Sequence, residues 1–399
     1  MLLSTVLLAV AASVAAQARS FKVLYAFKGG KDGEGPMGTL IRDSYGNIYG
    51  TTQFGGSRGS RQCRYAGTGC GTIFKLDPVG HETLLHSFSG LVDDGKYPFA
   101  GLVQDQRGML YGTTMYGGWA NVGTVFKLNP LTDQYLTVHS FSSTQEGQWP
   151  SGGVIVDAAG HLYGTTQGGG DDGCWGGCGL VFGIDQDGNE AVLLTFSPPA
   201  ESPTASLIMG KDGTLYGTTA GSGYSGALGT IFEVNRAAAA SSLYSFRGGT
   251  NGEDPWGSLV QDKHGNLYGT TYAGGDFNCN LSRDQGCGVV FKVNAGRESV
   301  LHAFHGPDGA FPTAAPIRDK RGNLYGTTTW GGSMHYGTVF KLDKNGKITI
   351  LHSFDGLDGM YPFGGLTIDA VGNLYGTTEY GGDFGCIYNG CGVVFEIMP

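Results

Sequence analysis

The stretch Gly372-Asn373-Leu374-Tyr375-Gly376-Thr377-Thr378 decides the fold, because its pattern, Gly-x-Leu/Ile-Tyr-Gly-Thr-Thr, occurs seven times in the chain. Tyr-Gly-Thr-Thr begins at Tyr49, Tyr111, Tyr163, Tyr216, Tyr268, Tyr325 and Tyr375, at spacings of 62, 52, 53, 52, 57 and 50 residues. Such a period marks a repeat architecture. The surroundings repeat as well. An apolar run such as Gly101-Leu102-Val103-Gln104-Asp105 precedes the tetrapeptide, and a Gly-rich loop and a second strand-like run, as in Gly337 to Leu342, follow it. A fourth run ends in Phe, from Val23 to Phe27 through Ile350 to Phe354. Each unit therefore holds four short strands, a to d.

The two ends complement each other. Phe21 to Phe27 is a strand d with nothing before it, and Gly392 to Ile397 is a strand c with no strand d after it. Pairing them completes seven four-stranded sheets, so the expected fold is all-β, a seven-bladed β-propeller of antiparallel blades closed by its N-terminal and C-terminal strands. The a to b and c to d links are tight turns, as in Tyr45-Gly46-Asn47 and Asp343-Lys344-Asn345-Gly346. All long b to c and d to a loops then share one face. The Gly inside strand b suggests a close approach of other backbone, with the neighbouring blade as the candidate. The Phe residues of strands c and d read as packing between blades.

With 73 Gly and 15% charged residues, the 399-residue chain favours strands joined by turns over helices. A formal net charge of -9 disfavours nucleic acid or an anionic membrane as partner. Met1 to Ala18 reads as a signal peptide, leaving 19–399 as one propeller domain, although the basic start of such a signal is missing. The apolar run is shorter than the roughly 20 residues a membrane helix needs, so no span is expected in the mature chain. The compartment is then extracellular or periplasmic. The eight cysteines fall into four local pairs, Cys63 with Cys70, Cys174 with Cys178, Cys279 with Cys287 and Cys386 with Cys391, which favours disulfides. Each would contribute about 2 to 3 kcal/mol in the chain-entropy model and stiffen one loop. Zinc is the competing reading of Cys174 to Cys178, but no second pair completes four ligands in that unit.

With these runs laid out, the chain resembles the GloVer tandem-repeat proteins, a bacterial family, over essentially all of Phe21 to Pro399. The resemblance implies export but no established activity or catalytic residue. Members often end in an anchoring segment that has no counterpart before Pro399, so free secretion is expected. The order of elements is also similar to kelch repeats, whose repeated Trp is absent.

Residues common to every unit are read as structural, so function is sought where units differ, on the long-loop face. Met37, Phe99, Ser151, Thr204, Trp256, Thr313 and Phe363 each follow a Pro and should ring the mouth of the central channel. The expected ligand-binding residues are Phe99, Trp119, Trp149, Trp175, Trp256, Trp330, Phe363 and Tyr380, because amphipathic rings beside loop carboxylates suit sugars or peptides. The alternative is that these rings cover the ends of the blades. Other loop aromatics include Tyr65, Tyr224, Phe384 and Tyr388. Acid pairs such as Asp171 with Asp172, or Glu379 near Asp383, could do acid and base work at a suitable separation; solvated loop acids are the plainer reading. No metal site or cofactor is expected, with Ca²⁺ at Asp32, Glu34 or Asp254 the one conceivable exception. His86, His139, His302 and His352 share one strand d position on separate blades and cannot converge on one ion. Asn280-Leu281-Ser282 is a sequon only in a glycosylating host. The expected function is a monomeric, secreted binding scaffold for an extracellular glycan or protein partner; the alternative is a polysaccharide lyase or glycoside hydrolase on the same face.

Overall fold

The computed structural model describes residues 20–56, 63, 69–221, 226–279, 281, 285–382, 385–386 and 390–399. The signal peptide expected at 1–18, Tyr65, Tyr224, Asp383, Phe384, Tyr388, Asn280 and Ser282 lie outside them. Seven four-stranded antiparallel sheets form the ring. The last joins Ser20–Ala26 to Val393–Met398, Leu374–Thr378 and Thr367–Ile368, so the N-terminal strand closes the seventh blade. No α-helix occurs among the described residues.

The repeated tetrapeptide supplies one bond set per residue. Tyr49, Tyr111, Tyr163, Tyr268, Tyr325 and Tyr375 donate their hydroxyls over 3.1 to 3.3 Å to Asp43, Asp105, Asp157, Asp262, Asp319 and Asp369. Those aspartates also accept backbone N–H groups of the a to b turn, as Asp43 does from Tyr45 and Asn47. The first Thr reaches the next blade: Thr51, Thr113, Thr165, Thr218, Thr270, Thr327 and Thr377 donate to the carbonyls of Ala100, Gly152, Ala205, Gly257, Ala314, Gly364 and Gly38 over 2.9 to 3.4 Å. Seven equivalent bonds thus run around the ring and return to its start. The second Thr stays in its own blade, as where Thr52 and Thr114 meet Thr72 and Thr124 at 2.7 Å.

The Gly of strand b differs from expectation. Gly50 faces Phe74 across the strand pair, and a Cβ there would lie 2.5 Å from the tip of that ring. Its own blade's Phe, and not neighbouring backbone, demands the glycine. Backbone from the next blade does come close, but nearer the axis, where a Cβ on Gly101 would meet the Thr39 carbonyl oxygen at 2.2 Å. This crowding suits strand a residues that are short or absent, and strand a itself spans two residues per blade, as at Ile41–Arg42.

The ring made room for then packs between blades. Phe27 meets Phe74 edge to face at 5.1 Å, and Phe88–Phe126, Phe141–Phe182, Phe196–Phe232, Phe246–Phe291, Phe304–Phe340 and Phe354–Phe395 repeat the contact at 4.9 to 5.4 Å. All of these rings are buried. Such pairs contribute about 0.5 to 1.5 kcal/mol each beyond the area they bury.

Candidate functional site

The long loops are knitted together before any side chain is considered. Gly95–Lys96 pairs with Tyr116–Gly117, and single bridges join Glu34 to Phe54, Gln148 to Gly168, Glu253 to Ala273, Ala310 to Trp330 and Met360 to Tyr380. In the fourth blade Ala220 donates its N–H to Ser202 O, so in each blade the entering d to a loop hydrogen-bonds to the b to c loop. The residue before each Pro is fixed from both sides: Trp149 donates its N–H to Val122 O and accepts from Gln167 N, and Tyr361 does the same with Tyr336 O and Glu379 N.

That residue adopts a left-handed backbone in every unit. Tyr97, Trp149, Ser202, Asp254, Phe311 and Tyr361 have φ between 54° and 58°, and Gly35 has 68°. A residue before Pro ordinarily stays extended, so the bonds to two blades hold a conformation that costs on the order of 1 to 3 kcal/mol. The result is a ring of positions fixed in backbone but variable in side chain from blade to blade.

The seven residues after the prolines line a single central cavity of 560 Å³, as their order predicts. Phe99 and Phe363 meet there edge to face at 5.4 Å, and Trp256 is 38% exposed at the same mouth. From Trp256 a stack runs outward through Tyr272 at 5.1 Å to Phe311 at 5.0 Å. Trp149 and Trp175 line a second groove of 630 Å³ with Tyr116 and Gln167; Trp175 is 91% exposed. Trp330 lies 4.4 Å from Tyr361, which contacts Tyr336 and Tyr380. Trp119 stands apart, 75% exposed, with its backbone N–H donated to Ser140 Oγ. The eight aromatics thus form three patches and one outlier. Tyr97, Phe311 and Tyr361 were not singled out from the sequence, although each forms an aromatic-Pro dipeptide like Trp149-Pro150.

Several loop acids are anchors. His86, His302 and His352 bond Asp94, Asp308 and Asp358 at 3.2, 2.7 and 2.7 Å, and Tyr25 donates to Asp32. The shared position therefore ties the d to a loop to its strand at these four places. Other acids keep a perturbed proton affinity on this face. Burial raises the Glu379 carboxyl above its ordinary value. Burial also raises Asp254, although the Gly221 N–H it accepts opposes this, and Asp254 in turn helps burial to raise Tyr272. All eight cysteines are in the four expected disulfides, with Cα separations of 4.9, 5.0, 5.7 and 5.3 Å. Glu201 packs beside Cys174 and Cys178, whose sulfurs, being disulfide-bonded, are not thiolate ligands for a metal.

A repeat described as the Gloeobacter/Verrucomicrobia repeat matches residues 62–282 and 279–399. No curated protein matches the sequence. Among solved structures, an oligogalacturonate lyase from Vibrio parahaemolyticus aligns at 11% identity over 94% of this chain and 93% of its own, with a TM-score of 0.57. A protein described as the extracellular domain of a one component system from B. thetaiotaomicron aligns at 12% identity over 93% of this chain and 39% of its own, at 0.54. A gluconolactonase from Xanthomonas campestris aligns at 12% identity over 95% and 89%, at 0.46. At these identities the likeness is one of fold.

Proposed function

The chain belongs to the Gloeobacter/Verrucomicrobia repeat family, and from that premise we propose that it is an exported scaffold that binds an extracellular glycan on its long-loop face. The observation that carries this reading is the placing of variable aromatics on a fixed face. Phe99, Trp256 and Phe363 share the central mouth, while Trp149 and Trp175 share the side groove. Trp149, held by backbone bonds to two blades, loses little freedom on binding, and the flat apolar faces of these rings suit the C–H faces of sugars. The four disulfides support an oxidising compartment, and no helix among the described residues is long and apolar enough to cross a membrane. Removal of residues 1–18 and a mature domain of 19–399 belong to the same proposal.

Cleavage is the second reading, favoured by one observation. Asp254, beside Tyr272 and two residues before Trp256 in the chain, has a carboxyl raised by burial, as a general acid requires. A glycan array followed by chain-length analysis of retained sugars separates the two. Retention without shortening, weakened about tenfold or more by Trp256→Ala or by Trp149→Ala, is the expected result. Shortened products that vanish in Asp254→Asn would establish the second reading, and retention of peptides but no sugar would overturn both.

A further inference from the structure

The outer rim of the ring carries a contact whose chemistry varies between blade interfaces. At four of them the strand d residue meets the acid of its own loop directly, as Tyr25 does with Asp32, His86 with Asp94, His302 with Asp308 and His352 with Asp358, whereas Tyr244 donates to Glu298 of the next blade. An aromatic from the next strand d covers two of these histidines: Tyr135 stacks on His86 at 3.9 Å, and Phe21 on His352 at 3.7 Å. Between the second and third blades the same positions hold His139, Glu146 and Glu190.

Here the direct bond is missing. Glu146 accepts instead from the N–H of Ser142 at 3.1 Å and its hydroxyl at 2.6 Å. His139 Nε2 and Glu190 Oε1 are both shielded from solvent and have no hydrogen-bond partner. One ligand atom from each of the three residues lies within 4.8 Å of the others. Three donors around one Zn²⁺ at about 2.0 to 2.2 Å stand roughly 3.3 Å apart, so an ion would draw these atoms closer together.

We propose that His139, Glu146 and Glu190 form a Zn²⁺ site that clamps the second blade to the third. Imidazole with two carboxylates suits this borderline cation, and three protein ligands leave a fourth position for water. The ion would balance two carboxylates brought together out of water and engage both unpartnered atoms. Because Glu146 lies three residues before Trp149 in one loop, the ion would also fix the loop that carries part of the aromatic groove.

Titration of chelator-stripped protein with ZnCl₂ by calorimetry tests this, with thermal melts alongside. The expected result is one Zn²⁺ per chain and a raised Tm. His139→Gln and Glu190→Gln should each weaken binding about tenfold or more and abolish the rise, whereas Glu82→Gln, at the matching strand d position of the first blade, should change neither. Circular dichroism identifies any variant that fails to fold, and the other is then read. No binding by the wild type, or equal binding by wild type, His139→Gln and Glu190→Gln, would overturn the site.

Discussion

A single side chain can be asked what it does because each is tried seven times. Gly112 sits with the tip of Phe126 2.6 Å from where its Cβ would be and Leu102 at 3.0 Å. Gly112→Ala must push that buried ring from its contact with Phe88, so the unfolding free energy should fall by about 1 to 3 kcal/mol, read as a lower denaturation midpoint. An unchanged midpoint would mean the ring has room to move. Glu82 tests electrostatics on the same footing. Burial first, and the charge of Asp32 second, raise its carboxyl to about 7. Its folded value lies above the unfolded one, so the stability it confers is complete below about pH 4 and is lost as pH rises through about 7. Glu82→Gln should therefore gain on the wild type by on the order of 1 kcal/mol at pH 8, after allowing for solvent screening, and by little at pH 4. Equal shifts at both pH values would refute the assignment.

Elements show what the repeat made legible and what it hid. Strands b and c could be read directly, because Tyr-Gly-Thr-Thr and the Phe opposite it recur with unchanged chemistry. Strand d could be found but not its geometry. Each carries a bulge opposite strand c, at Leu85 in the first blade, where Ile73 pairs with His86 but Phe74 with Leu84. The apolar pair Leu84-Leu85 gives no alternation to betray it, yet the bulge sets the pleat so that His86 reaches Asp94 and Leu85 is buried. The left-handed residues before the prolines were hidden for the opposite reason, since Pro locally favours an extended neighbour and only bonds from two blades override it. The group around His139 escaped notice because Glu190 arrives from the next unit. Disulfides act at this scale too: each spans a b to c loop and none joins two sheets. Reduction should speed hydrogen exchange in those four loops and leave strands b and c protected. Collapse of the far-UV strand signal under mild reductant would contradict that division.

At the scale of the whole molecule, closure is the one feature that no blade can supply alone. Blades two to seven each rest on a predecessor joined by continuous chain, whereas the first meets the seventh across 327 to 339 residues through Thr367 to Leu40 O and Thr377 to Gly38 O. Ser20–Ala26 adds the outer edge of the seventh sheet, covers Val393–Met398, and leads into Phe27, which packs on Phe74 of the first blade. Removing residues 20–27 would leave the Val393–Met398 strand as an unpaired edge and strip one of the seven Phe contacts, while the remaining six interfaces keep theirs. An exposed apolar edge pairs with other chains, so the truncated protein should oligomerise in sedimentation velocity and melt at lower temperature than the full chain. Adding a synthetic peptide of residues 20–27 should restore the monomer and part of the Tm, because the groove it fills is already shaped by six intact interfaces. A truncated protein that stays monomeric with an unchanged melt would show that the Thr bonds and Phe packing of the other blades hold the ring without its borrowed strand.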